Sequence, residues 1–275
     1  MQSYDDLEHA IARDYKQLSR RLQQVARYAL EHPTDMAFEK VAVIAERAGV
    51  QPSTLIRFAK AFGYSGFSEM QRIFRTRLTE HAPSYAERLR RLRVEGSPEG
   101  DPMQVLGHFV DAGHHALDHL VEEVSAETLE RALAALSHAD TIYVVAQRRA
   151  YPVAAYFAYA LGHLGLRVNL LDGTGGMSAQ QATGLRGSDA LLAVSFHPYG
   201  EETCDAVRIA AERGAEVIAI TDSPLSPIAG FGGPVFEVQD AEVQSFRSLT
   251  ATMALAIALV VSLGQRLGID RTAAQ

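Results

Sequence analysis

The sequence predicts two domains of different class, an all-α domain followed by a doubly wound α/β domain with a five-stranded parallel sheet. Three observations carry this. Apolar residues recur at helical spacing through residues 1–80, including a helix, three-residue turn, helix unit at 38–62. From Asp140 the periodicity changes, and short β-branched runs alternate with helical segments. Charge divides the same way: residues 1–93 hold 16 Lys+Arg against 11 Asp+Glu, net +5, and residues 94–275 hold 10 against 22, net −12.

Length and composition allow this division. A chain of 275 residues with 47% hydrophobic content can fill two ordinary cores. The one cysteine, Cys204, excludes a disulfide framework and a cysteine-rich zinc site, and a reducing cytoplasm is the expected compartment. The N-terminus MQSYDDLEHA lacks the basic start and apolar run of a signal peptide. The longest apolar stretch, 249–263, is interrupted by Thr250, Thr252 and Ser262 and reads as a buried core helix, so no membrane association is expected.

In the first domain, residues 4–30 read as one helix with Leu18, Leu22, Val25, Ala26 and Ala29 on one face, ended by Glu31-His32-Pro33. Thr34 or Asp35 is placed to cap the segment after Pro33. Residues 38–48 form the next helix, with Val41, Ile44 and Ala45 inward and Gly49 as its stop. Pro52 opens the helix after the turn, where its missing N–H is harmless. Leu55, Ile56, Phe58, Ala59 and Phe62 give that helix its buried face, and Gln51, Ser53, Thr54, Arg57 and Lys60 its polar one. Gly63 and Gly66 break the chain around Tyr64 and Ser65. Residues 67–78 resume helical spacing with Arg72, Arg75 and Arg77, which contact phosphates or form a solvated face.

Residues 81–102 turn polar and carry Pro83, Gly96, Pro98, Gly100 and Pro102, the mark of a linker, with a helical segment at 85–93. The expected domains are therefore 1–80 and 103–275. Two helices, 103–121 and 125–136, precede the alternating region, the second capped by Ser125. His115 and His119 have the i, i+4 spacing of metal ligands, but no third ligand or glutamate base accompanies them, and a polar helix face is the better reading. No metal or cofactor is expected.

The alternating region gives strands at 141–146, 167–171, 190–195, 216–221 and 235–238. Helices at 151–164, 177–185, 201–213 and 246–267 separate or succeed them, with a helical turn near Ile228. Unalternating apolar runs of four to six residues are strands covered on both faces, and strict alternation with helices makes them parallel. Ligands in such sheets bind beyond the carboxyl ends of the strands. The candidate pocket is built from the loops 147–151, 197–201 and 222–226.

A polar helix end after a three-residue turn, in a basic domain, is the layout that reads DNA. Arg57 suits guanine and Gln51 adenine, with Ser53 and Thr54 beside them. Lys60 and the chain at Tyr64 and Ser65 suit phosphates. The competing reading is a helical hairpin that docks on a protein.

The stretches AVIAERAGVQPSTLIRFAKAFGYSGFSEMQ and AVRIAAERGAEVIAITDSPLSP give the whole chain a resemblance to the RpiR/MurR family of bacterial transcriptional regulators. The resemblance implies an N-terminal helix-turn-helix domain and a C-terminal SIS (sugar isomerase) domain. It further implies a regulator of sugar or sugar-derivative catabolism whose SIS domain binds a small metabolite, often a phosphosugar, and oligomerises. The partners then expected are a pseudo-palindromic double-stranded DNA operator, a small-molecule effector and further copies of the chain.

The chain departs from the family at the phosphate-holding turns. After the first strand it has AQRRAY, with Ala146 and Arg148 at the usual glycines and Ala150 at the usual serine. After the third it has SFHPYG, which keeps Ser195 but places His197, Pro198 and Gly200 where Ser, Gly and Thr usually stand. Arg148 and Arg149 are added beside a helix N-terminus, where they attract an anionic, hydroxylated ligand. The expected lining is Arg148, Arg149, Ser195, His197 and Tyr199, with Asp222 and Ser223 from the third loop. The alternative is an arginine held by Glu201, Glu202 or Asp222 as a structural ion pair. A catalytic role as a sugar-phosphate isomerase would draft His197 and Glu201 or Glu202, but a basic helix-turn-helix head has no use in an isomerase, and no catalytic residues are assigned.

Overall fold

The computed structural model describes residues 4–76, 101–243 and 246–269, and the chain divides into two compact units between Ser97 and Pro98. The expected linker at 81–102, its helical segment 85–93 and Arg77 lie outside the described residues, except at Asp101 and Pro102.

The first unit is all-α. Its helices are α1 (Tyr4–Asp14), α2 (Arg20–Glu31), α3 (Pro33–Phe38), α4 (Val41–Arg47), α5 (Pro52–Ala61) and α6 (Phe67–Thr76). The single helix expected over 4–30 is two. A 3₁₀ turn at Tyr15–Gln17 and extended backbone at Leu18 and Ser19 separate them, and the Gln23 amide donates to the Tyr15 carbonyl across the corner at 3.1 Å. The helix expected over 38–48 starts at Val41, because α3 ends at Phe38 and the backbone is extended at Glu39 and Lys40. Thr34 and Asp35 lie within α3 and do not cap it, since His32 holds the cap position and Pro33 opens the helix. Asp35 instead accepts the Tyr28 hydroxyl at 2.6 Å and the Arg47 guanidinium at 2.7 Å, which together hold its carboxyl below the usual range. Leu7, Ile11, Met36, Ile44, Leu55, Phe58, Met70 and Phe74 are fully buried in one core.

The second unit opens with α7 (Pro102–Glu123) and α8 (Ala126–His138), and the Ser125 hydroxyl caps α8 by accepting the Thr128 N–H at 3.0 Å. Then come β1 (Ile142–Ala146), α9 (Tyr151–His163), β2 (Val168–Leu171), α10 (Ser178–Ala182), β3 (Ala190–Val194), α11 (Glu201–Glu212), β4 (Glu216–Thr221) and β5 (Val235–Glu237). The five strands form one parallel sheet in the order β2-β1-β3-β4-β5. β1 and β3 are buried along their whole length, as continuous apolar runs between two helical layers must be. One core lies against α7, α8, α9 and the last helix, and a second lies against α10 and α11.

Three details differ from expectation. The segment near Ile228 is a run of turns, with Ser226 N–H on the Ser223 carbonyl and Ala229 N–H on that of Ser226. Helix α10 ends at Ala182, short of 185. The segment before the last helix pairs as an antiparallel hairpin, β6 (Glu242–Val243) with β7 (Phe246–Arg247), so α12 runs Thr250–Arg266 and not from 246. An Arg247–Glu242 ion pair of 2.9 Å closes that hairpin. Among the described residues no helix is long and apolar enough to cross a membrane.

Candidate functional site

In the first unit the candidate surface is the outer face of α5. Both chain reversals that set it have the same construction. Gly49 (φ 64) follows α4, with Val50 N–H on the Ala45 carbonyl and Gly49 N–H on that of Glu46. Gly63 (φ 82) follows α5, with Tyr64 N–H on Ala59 and Gly63 N–H on Lys60. This is the six-to-one and five-to-two pairing in which a left-handed glycine satisfies the last helical carbonyls. A side chain at position 49 would also meet the Gln24 amide at 2.9 Å.

Gln51 stands at the N-cap of α5 with Pro52 at its first position. Gln51, Ser53, Arg57 and Lys60 are exposed, as a reading face requires. Thr54 is not part of that face: it is only 8% exposed and packs with Leu55, Phe58 and Ala59. Ile56, expected in the core, is 44% exposed. The helix is rotated so that the hydroxyl residue lies inside and the branched aliphatic one outside. Tyr64 is likewise a core residue, 7% exposed, and burial raises its phenol pKa. Ser65 is exposed, but its N–H and its hydroxyl both donate to Glu69, at 2.7 and 2.6 Å, so both are engaged by a carboxylate of the first turn of α6. Of the arginines of α6, Arg75 donates to the Ala37 carbonyl at 2.7 Å and ties α6 to α3, while Arg72 is exposed.

In the second unit the register brings the three expected loops together. Ala146 pairs with Val194 and Val194 with Ile220, so β1, β3 and β4 end level. The strand order reverses direction between β1 and β3, which places the crevice of a doubly wound sheet between their loops.

Arg149 stands in the turn after β1, at this end of the sheet. Its guanidinium sits over the buried Phe196 ring, 4.8 Å from the centroid, and its Nη1 is buried with no hydrogen-bond partner. Burial and the charge of Arg247 lower its pKa, against Asp222, Asp240 and Glu242, which raise it. Asp222 uses one oxygen to accept the His197 N–H at 2.9 Å and leaves Oδ1 buried without a partner. The Oγ1 atoms of Thr221, at the end of β4, and Thr203, in the first turn of α11, are also buried and unpartnered. Arg247 donates to the His197 carbonyl at 2.6 Å, so the His197 backbone is held from both sides. The His197 and Tyr199 rings meet edge to face at 5.8 Å.

Arg148 is exposed and left-handed (φ 53), with a 3.4 Å contact to the Pro198 carbonyl. Neither Arg148 nor Arg149 forms an ion pair among the described residues with Glu201, Glu202 or Asp222. Two expected lining hydroxyls serve the backbone instead. Ser195 is buried and accepts the Gly200 N–H at 3.3 Å, and Ser223 is buried and accepts the Leu225 N–H at 3.1 Å. Serine commonly closes such local turns.

A neighbouring polar network is not foreseen from the sequence. Glu202 accepts the Gln147 amide and the Ser178 hydroxyl, joining the loop after β1 to the N-termini of α10 and α11. Glu201 and Glu202 thus put two carboxylates in the first turn of α11, where the helix dipole favours negative charge. Gln147 packs so closely on Gly200 that a Cβ there would lie 2.3 Å from Oε1. Beside this network the loop after β2 is fixed by Asp172, which accepts from Gln181 and from the Thr174 N–H, both at 2.9 Å. Those bonds lower its pKa to about 2. His115 is exposed, and among the described residues no three His, Cys, Asp or Glu side chains are grouped to hold a metal.

Comparison with known proteins finds a match within each unit. Residues 6–81 match the rpiR-family helix-turn-helix domain and residues 135–262 match the SIS domain. An uncharacterized HTH-type transcriptional regulator from Caldanaerobacter subterraneus is 28% identical over 209 residues, 75% of this chain and 70% of that protein. The bifunctional protein glk of Burkholderia pseudomallei is 27% identical over 251 residues, and the match spans 91% of this chain but 38% of that protein. The sugar isomerase domain of an RpiR transcription factor from Sphaerobacter thermophilus superposes with a TM-score of 0.58 at 26% identity, over 62% of this chain and 98% of that one. Vibrio vulnificus NanR, solved with ManNAc-6P, shares the fold at a TM-score of 0.53 and 20% identity, over 95% of this chain and 90% of that one. With both domains matched in order, the chain belongs to the rpiR family of helix-turn-helix transcriptional regulators that carry a SIS domain.

Proposed function

We propose that the chain is a metabolite-controlled regulator of carbohydrate or sugar-derivative catabolism. The outer face of α5 binds a pseudo-palindromic operator, and a small hydroxylated metabolite binds at the carboxyl ends of β1, β3 and β4 and changes the affinity for DNA. The observation that carries the effector site is the gathering of buried, unpartnered polar atoms at this end of the sheet: Arg149 Nη1, Asp222 Oδ1 and Thr221 Oγ1. An unsatisfied buried polar group costs about 1–3 kcal/mol, more when charged, so a site that leaves donor and acceptor open together is stabilised by a ligand that supplies both. Hydroxyl groups do so.

The charges refine the ligand. Arg149 and Arg247 stand among Asp222, Asp240 and Glu242, an acidic balance that favours hydroxylated over doubly anionic ligands. NanR was solved with a phosphosugar; the carboxylates in the first turn of α11 here weigh against a phosphate at that helix end. Two or more copies of the chain act together: α7 exposes Met103, Leu106, Val110 and Val121 and α12 exposes Ile257 and Val261, an apolar surface that a second copy would cover. A thermal-shift screen of free sugars, polyols, sugar acids and sugar phosphates tests the site. Ligands that stabilise the wild type should fail to stabilise Arg149→Ala, and stabilisation that survives the substitution would remove this site.

A further inference from the structure

The outer face of α5 carries an aliphatic side chain among its polar ones. Ser53, Ile56, Arg57 and Lys60 are all exposed and succeed one another at i, i+3, i+4, i+7, so they form one stripe along the helix. Ile56 is 44% exposed in its middle, while Thr54, two residues earlier, is 8% exposed in the core. Stability alone would favour the reverse, with the aliphatic chain inside and the hydroxyl in water. The stripe has two cations, and α5 contains no Asp or Glu, so its surroundings suit a polyanion better than an apolar protein surface.

We infer that Ile56 is a specificity-determining residue that reads the C5 methyl group of a thymine in the major groove, next to the base contacted by Arg57. This rests on the reading of the first unit as the DNA-binding part. The chemistry selects the target. Ile56 has no donor or acceptor in its side chain, and the major-groove edges of the four base pairs present donors, acceptors and one apolar group, the thymine methyl. Ile56 and Arg57 adjoin on the helix surface, so a thymine and a guanine at neighbouring positions of each half-site satisfy both.

The test replaces the methyl and nothing else. Duplexes selected by the full-length protein from a random library are resynthesised with deoxyuridine for thymidine, and both forms are titrated with wild type and with Ile56→Ala. For the wild type, affinity should fall about fourfold per half-site, the effect of one methyl group removed from an apolar contact. Ile56→Ala should bind both forms equally, and its thermal melt should match wild type because the side chain is exposed. Equal affinity of the wild type for both forms, or a thymine preference that Ile56→Ala retains, would overturn the inference. Absence of any salt-dependent duplex binding would instead overturn the DNA reading on which it rests.

Discussion

The Asp222 carboxylate accepts the His197 backbone N–H at 2.9 Å, leaves its other oxygen buried without a hydrogen bond, and offsets part of the lowering that burial and Arg247 impose on the Arg149 pKa. One side chain thus fixes the loop after β3 and supplies charge to the loop after β1. Asp222→Ala should lower the stability of the second unit by about 1.5–3 kcal/mol, the range for a hydrogen bond to a charged group. Asp222→Asn keeps an acceptor and should lose less. Urea unfolding monitored by a probe in the second unit measures both; equal stability of wild type and Asp222→Ala would contradict the role.

Arg57 and Lys60 separate recognition from attraction. Arg57→Ala should reduce the specific-to-nonspecific ratio by about 1–3 kcal/mol. Lys60→Ala should weaken binding to all sequences alike and reduce the salt slope by about 1. Titrations at several salt concentrations distinguish the two patterns.

The loop after β2 depends on an ionised Asp172. Its folded pKa, about 2, lies below the ordinary value near 3.8, so its contribution is fully present above pH ~4 and is lost as pH falls through about 2. The Asp172 carboxyl shift, measured by NMR, should titrate near that value. Asp172→Asn should remove this step from the acid unfolding profile.

Glu201 and Glu202 should decide whether phosphate is accepted at the N-terminus of α11. At matched ionic strength, inorganic phosphate should leave the wild-type melting temperature unchanged and raise that of the Glu201→Gln/Glu202→Gln variant. A wild-type shift with none added by the substitutions would show that the carboxylates do not exclude phosphate.

Much of this architecture is legible in the sequence because it is local or periodic. Unbroken runs such as Ala190–Val194 announce strands buried on both faces, and Gly49 and Pro52 mark the turn before α5. Helix phase is less legible: Leu55, Ile56, Phe58, Ala59 and Phe62 spread over more than one face, and only tertiary packing decides that Thr54 enters and Ile56 leaves. Ser195 and Ser223 have the right chemistry for a ligand but use it on neighbouring N–H groups. The link between Gln147 and Glu202 joins positions 55 apart, and the β6–β7 hairpin brings Arg247 to His197 across 50, so neither leaves a local pattern.

A metabolite held at Arg149 and Asp222 should govern DNA binding by α5. The most direct measurement is operator affinity of the full chain, by fluorescence anisotropy, with and without a stabilising hydroxylated ligand from the thermal screen, for wild type and Arg149→Ala. Wild-type affinity should change with ligand, and Arg149→Ala should lose that response while still binding DNA. An identical ligand response in both proteins would contradict control through this site.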